Sequence, residues 1–251
     1  MIKIQEEINL EGYILILPSV AIGNVGQLCA DLLITNLNLC KIGSMWSSTF
    51  LPISGLDPYN KDSTSLCTAT DFYLGTNYKI ILLQIRSPYI GDSTNFFDEL
   101  TKFVQEKKIQ KVIILASGNK CYNSEEAGRS DTRLRYLTSD DTLLNNEKLL
   151  QDLQWKRHVT RIENELTVEN CIPGGGFANS LYNHLKSMEI YCTVLICYCY
   201  EGDNVSDAII LVKGLNQWLK LLESNSSAGI SIKYPPSWEY FFGNPPSSEI
   251  Y

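Results

Sequence analysis

The sequence predicts an α/β domain, a three-layer sandwich in which a mixed, largely parallel sheet carries helices on both faces. Three observations lead there. Short, largely apolar runs, "YILIL" (13–17), "QKVIILASG" (110–118) and "IYCTVLICYCY" (190–200), suit buried strands. The first and last of these runs lead into apolar repeats at helical spacing. Finally, "TDFYLGTNYKIILLQIRS" (70–87) reads as two strands joined at Gly75-Thr76-Asn77, a hairpin that mixes antiparallel pairing into the sheet.

The elements follow in order. The run 13–17 ends at Pro18. From Asn24 the period changes: Val25, Leu28, Cys29, Leu32, Leu33 and Leu37 fall on one helical stripe of about four turns. A second strand is expected within 41–53, and 55–65 is turn-rich. Asp92 or Ser93 caps a helix over about 94–107 with Phe97, Leu100 and Val104 on one face. The strand "QKVIILASG" ends at Gly118. Residues 119–170 are polar and read as an exposed excursion, helical around 141–155 and looped at 120–133. Order resumes with "CIPGGGFANSLYNHL" (171–185), a glycine loop entering a helix. The strand at 190–200 turns through "EGDN" into a long amphipathic helix. A proline-rich, aromatic tail occupies about 233–251. A single domain over 1–251 is expected, since no repeat and no long linker appears.

Composition excludes several function classes. Asp and Glu number 28 against 21 Lys and Arg, for a net charge of −7. Such a surface repels phosphate backbones, so no nucleic acid partner is expected. No apolar run reaches the length of a membrane span, and the N-terminus lacks the basic flank and cleavage site of a signal peptide, so no membrane partner is expected either. The eight cysteines fall mostly in apolar runs with no C-x-x-C pair, which suits small buried hydrophobes in a reducing compartment.

Two glycine loops invite a catalytic reading. Ala21-x-Gly23-x-x-Gly26 is one residue short of the dinucleotide fingerprint, but the first glycine is Ala21 and no acid follows between Asp31 and Asp57 to hold a ribose. Gly23 and Gly26 are then expected to serve the turn and a close helix–strand approach. Gly174, Gly175 and Gly176 precede a helix and can form an anion nest, yet no Lys-Ser or Lys-Thr follows as a P-loop requires. Glu201 and Asp203 form a possible carboxylate pair, but Asp203 or Asn204 as helix cap explains the same letters. His158 lies in a basic, exposed-looking stretch, and His184 in a helix, neither with a ligand partner at metal spacing. No cofactor, metal or catalytic residue is expected. The competing reading is a phosphorylase- or hydrolase-like enzyme that binds phosphate on Gly174–Gly176.

Four stretches together carry a resemblance: "PSVAIGNVGQLCADLLITNLNLCKIG" (18–43), "CIPGGGFANSLYNHL" (171–185), "EGDNVSDAIILVKGLNQWL" (201–219) and "PPSWEYFFG" (235–243). In this order and spacing they resemble the proteasome assembly chaperone family. The resemblance implies a fold similar to nucleoside phosphorylases without their catalytic equipment. It also implies a non-enzymatic chaperone for 20S proteasome assembly, cytoplasmic and nuclear. Its partners would be proteasome assembly chaperone 1, as a heterodimer, and the proteasome α-subunits, whose seven-membered ring it promotes and whose off-pathway ring dimers it prevents. Related chaperones insert a hydrophobic-Tyr-x tail into pockets between α-subunits. Here Ile250 and Tyr251 stand at the end, with the tyrosine one position late, and either fills the apolar part of such a pocket while the terminal carboxylate meets a lysine.

Overall fold

The computed structural model describes residues 1–4, 8–121, 134–158, 171–223 and 230–240. Its strands are β1 (Ile2–Ile4), β2 (Ile14–Pro18), β3 (Cys40–Met45), β4 (Ser54–Leu56), β5 (Leu66–Thr68), β6 (Thr70–Gly75), β7 (Ile80–Ile85), β8 (Lys111–Asn119), β9 (Leu134–Thr138), β10 (Lys156–Arg157) and β11 (Cys192–Cys199). Its helices are α1 (Val25–Asn36), α2 (Thr94–Glu106), α3 (Asp141–Leu144), α4 (Glu147–Leu153), α5 (Ala178–Ser187) and α6 (Val205–Leu219).

Nine strands form one mixed sheet in the order β1-β3-β6-β7-β2-β8-β11-β9-β10, and β4 and β5 pair as a separate hairpin. The four central strands, β7, β2, β8 and β11, run parallel. On one flank β6, β3 and β1 pair antiparallel, and on the other β9 runs antiparallel to β11. The continuous apolar runs belong to the central strands because both of their faces are covered. Leu15 and Leu17, Ile81 and Leu83, Ile114 and Ala116, and Val194 and Ile196 point to one side, against α2 and α5. Ile16, Leu82, Ile113, Leu115 and Leu195 point to the other, against α1 and α6. The period of two along each strand therefore splits the core into the two inner layers of a sandwich.

The helices keep their expected stripes. In α2, Phe97, Leu100 and Val104 are buried, joined by Phe96 and Phe103. Its entry is held by Asp92, whose Oδ1 accepts from the Thr94 backbone N–H at 2.8 Å; Ser93 holds the cap position without a side-chain bond. Helix α1 is a little over three turns and buries nearly its whole circumference, since α6 lies beside it and the sheet beneath it. Gly26 permits this: a Cβ there would stand 2.4 Å from the Leu115 carbonyl oxygen. The strand expected over 41–53 stops at Met45, and the turn-rich 55–65 stretch is flanked by the small β4–β5 hairpin.

The polar stretch at 119–170 differs most from its reading. It does contain helices, α3 and α4, but it also supplies β9, buried at all five positions inside the main sheet. Arg135 disguises this strand in the sequence; it is 8% exposed and donates to the Leu134 carbonyl at 3.3 Å. Nearly all of the loop expected at 120–133 lies outside the described residues. Leu137 is 3% exposed in the core. Leu137→Ala is expected to cost about 2–5 kcal/mol, as for a buried leucine, where an exposed excursion would lose under about 0.5 kcal/mol. Urea unfolding of the two chains decides between these.

Candidate functional site

In open α/β sheets, ligands bind in the crevice beyond the carboxyl ends of the parallel strands. Here that edge gathers three loops: 19–24 after β2, 171–177 before α5, and 200–204 after β11. Together they carry Gly23, Gly174, Gly175 and Gly176, with Gly26 the second residue of α1.

The loops are bonded to one another. The Ser19 hydroxyl donates to the Gly175 carbonyl at 2.8 Å, and the Ile22 N–H donates to the Gly174 carbonyl at 2.8 Å. Asn119, at the end of β8, donates its N–H to the Pro173 carbonyl at 2.8 Å. The Ile22 carbonyl accepts from the Ser117 hydroxyl and, at 3.8 Å, from the Cys199 thiol. Within the glycine loop, the Gly175 N–H donates to the Ile172 carbonyl, and the Ala178 N–H to the Gly175 carbonyl.

The glycines make this closeness possible. A Cβ on Gly176, at φ +60°, would stand 1.9 Å from the Val20 carbonyl oxygen. One on Gly23, at φ +65°, would stand 2.3 Å from the Asn204 side-chain amide. The crevice that elsewhere receives a phosphate is occupied by this chain's own backbone, and the glycines hold the loops in van der Waals contact.

The remaining candidates have structural partners. Asp203 accepts from the Val205 N–H at 3.1 Å and so holds the start of α6, while Asn204 bends back to the Gly202 carbonyl at 3.0 Å. His184 joins α5 to α2 through Thr101, 3.1 Å away. His158 was read as exposed, but it is 8% exposed. Its Nε2 bonds the Cys171 carbonyl at 2.9 Å, and its Nδ1 pairs with the Tyr198 hydroxyl at 3.1 Å. Its basic neighbours in sequence gave the wrong impression, because β10 pairs with β9 and carries the imidazole inward. Burial pushes its pKa down, partly offset by the Cys171 bond. Cys197 and Cys199 share a face of β11, as their spacing predicts, and both are buried. Burial raises the Cys199 thiol to about 11 and pushes Cys192 and Cys29 up as well, which leaves them protonated and inert. Cys40, Cys121 and Cys171 are exposed. Among the described residues no His, Cys, Asp or Glu group has the arrangement to hold a metal, and no helix is long and apolar enough to cross a membrane.

One constellation has no motif. Asp31, on the buried side of α1, accepts at Oδ1 from Tyr59 Oη (2.7 Å), Gln84 Nε2 (2.6 Å) and Arg86 Nη2 (2.8 Å). At Oδ2 it accepts from Trp238 Nε1 at 3.3 Å. Burial is the largest single influence and opposes the Arg86 charge, but Asp31, Tyr59 and Tyr73 together more than offset it and the guanidinium is held protonated above its ordinary range. Burial and the Asp31 charge raise Tyr59. The signal in the sequence is the charge itself: an aspartate between Ala30 and Leu32 on an apolar helix needs a cation. Beside this cluster runs a groove of about 910 Å³, lined by the end of α1, β3, the β4–β5 hairpin and Lys233–Tyr234, away from the glycine loops. Ile250 and Tyr251 lie outside the described residues.

A mixed, largely parallel sheet flanked by helices, with its carboxyl edge filled by glycine-mediated loop contacts, defines an α/β sandwich domain. The PAC2 family profile matches residues 15–221, and the chain belongs to the PAC2 family. It is 34% identical to human proteasome assembly chaperone 2 and 32% identical to the zebrafish (Danio rerio) protein of that name, each alignment covering 94% of both chains. Among solved structures it is similar to PbaA of Pyrococcus furiosus, described as an archaeal homolog of proteasome-assembly chaperone. The TM-score is 0.66 at 19% identity, over 89% of this chain and 88% of that one. It is also similar to PbaB of the same organism, described as an archaeal proteasome activator, with a TM-score of 0.63 at 17% identity over 91% of each.

Two outcomes are expected. Gly176→Ala meets both backbone and a left-handed φ, and is expected to cost about 2–3 kcal/mol in urea unfolding; Gly55→Ala, with open space around its Cβ, stays within about 0.5 kcal/mol. His158 is held neutral, with its folded pKa below the unfolded value of 6.5. The unfolded chain therefore binds the proton more readily, and this contribution to stability is complete above pH 6.5 and is lost as pH falls through the folded pKa. A His158→Gln chain is expected to lose less stability than the parent between about pH 6.5 and 5, followed by thermal melting across that window.

Proposed function

We propose that this chain is a non-enzymatic assembly chaperone for the 20S proteasome. In this reading it acts as a heterodimer with proteasome assembly chaperone 1, in cytoplasm and nucleus. The dimer holds α-subunits, promotes the seven-membered α-ring and keeps α-rings from pairing off pathway. Ile250 and Tyr251 engage a pocket on the ring.

The observation that carries the non-enzymatic part is the occupied carboxyl edge. The Gly174–Gly176 loop gives its carbonyls to Ile22 and Ser19, and the Gly175 N–H is already taken within the loop. A phosphate nest would need the Gly175 N–H free and a general acid or base within reach, and Asp203 and Asn204 bond the backbone at the start of α6 instead. The assembly role is supported by the 34% identity to human proteasome assembly chaperone 2 over 94% of both chains.

Affinity purification of the tagged chain from its own cells, read by quantitative mass spectrometry, tests the assembly role. A second chaperone and α-subunits are expected, with few mature β-subunits. Recovery of neither overturns it. Removing Glu249–Tyr251 is expected to reduce α-subunit recovery with the melting temperature unchanged. In calorimetry, phosphate and nucleosides are expected to give no saturable heat; saturation would return the glycine loop to consideration as a ligand site.

A further inference from the structure

A second cavity, of about 660 Å³, opens at the amino end of β11, the end away from the glycine loops. It lies between the end of β9, helix α3, β10 and the second half of α5. One wall is firmly held. The Ser139 N–H donates to the Cys192 carbonyl at 2.9 Å, and the Cys192 N–H donates to the Ser139 hydroxyl at 3.0 Å. Beside them the Thr138 and Thr193 hydroxyls pair at 2.7 Å. Leu137, Leu144 and Ile190 give the cavity apolar surface. Its volume falls in the range of small-molecule sites, about 300–1,000 Å³.

Tyr182 lines this cavity and is 2% exposed, with its ring packed in the core. Its hydroxyl nevertheless has no hydrogen-bond partner among the described residues. A buried hydroxyl ordinarily finds one, because leaving the bond unmade costs free energy. The described polar atoms that are both sealed and unpaired belong to Gln27, Arg86, Trp155 and Asn179. The Tyr182 hydroxyl is not one of them, so its open side meets the cavity. Burial is the main influence on this hydroxyl and, with the Cys192 thiol, raises its pKa, while the Arg157 charge works the other way. It is therefore a protonated donor at neutral pH, with a guanidinium close enough to act on it.

Two cations join it. Arg157 lines the cavity from β10, and Lys186 lines it from α5, one helical turn beyond Tyr182 on the same face. Both are exposed, and neither forms an ion pair among the described residues. Three donors without an acceptor thus border one cavity. Asp141 and Glu189 border it too, which disfavours a doubly charged anion such as phosphate and suits a guest with one negative charge.

We propose that this cavity is a binding site for a small carboxylate with an apolar body. The carboxylate takes the Tyr182 O–H and the Arg157 guanidinium, Lys186 adds a second positive charge, and the apolar body lies along Leu137, Leu144 and Ile190. The site is independent of the glycine loops and of the assembly role proposed above.

Hexanoate is the probe, titrated into the full chain at neutral pH and low ionic strength and followed by backbone amide chemical shifts. Saturable shifts are expected at concentrations on the order of millimolar, centred on residues 138–141 and 189–191. Hexanol has the chain without the charge, and inorganic phosphate has charge without the chain; each is expected to bind at least about tenfold more weakly. Tyr182→Phe removes only the hydroxyl and is expected to weaken hexanoate about tenfold, with the melting temperature unchanged because no protein partner is lost. Arg157→Gln, at an exposed side chain, is expected to give a similar loss. Lys213→Gln, at an exposed position of α6 on the other face of the sheet, is expected to give none. Failure of hexanoate to saturate, shifts centred elsewhere, or undiminished binding by either Tyr182→Phe or Arg157→Gln overturns the site. Phosphate binding as tight as hexanoate overturns the carboxylate assignment. A blocked glutamate peptide that binds more tightly than hexanoate makes this a peptide site and overturns the small-ligand assignment.

Discussion

The backbone of Ile22 holds the carboxyl edge of the sheet together. Its N–H is given to the 171–177 loop and its carbonyl receives donors from the ends of β8 and β11. One residue after the first central strand thus ties three separate strand ends to one another. A backbone group can do this only if neighbouring chains approach to hydrogen-bond distance, which is the condition that Gly23, Gly174 and Gly176 satisfy. Gly26 extends the same closeness to helix α1, which rests on the Leu115 carbonyl. The glycine pattern that resembles a nucleotide loop is, in this geometry, a device by which the sheet's edge closes on itself.

A second constraint is electrostatic. The end opposite β9 carries a charged pair under cover, Asp31 with Arg86, and another at Asp71, which pairs with Lys41 at 2.9 Å. Buried pairs contribute little net stability when whole, but breaking one leaves a lone charge at a cost of about 3–5 kcal/mol. They therefore act as registration points. Asp31 ties α1 to β7, to the loop at Tyr59 and to Trp238, elements far apart in sequence.

Much of the fold was legible because the central strands carry few polar residues. β2, β8 and β11 stand out as apolar runs, and the stripes of α1, α2 and α6 follow the helical period. What escaped reading shares one physical cause: burial of polar groups with partners distant in sequence. β9 carries Arg135 in a polar stretch, His158 faces Tyr198 across forty residues, and Trp238 reaches Asp31 across the whole domain. The short edge strands β1 and β10 have too few residues for any period to show. At the candidate site, the glycines were visible one loop at a time, but their mutual contact depends on sheet order, which no local pattern carries.

The strand order has a consequence for how the chain is made. β11 sits between β8 and β9, yet it is the last of the three to leave the ribosome. Until Cys192–Cys199 emerges, β8 has a bare edge and β9 lacks the strand that joins it to the rest of the sheet. That interval covers more than fifty residues of synthesis, on the order of several seconds at cellular rates. Through it the nascent chain leaves one edge of an apolar strand, "VIILA", without its partner. Among the described residues, the strand made last is the one that joins β8 to β9, so this side of the sheet closes only when the chain is nearly complete.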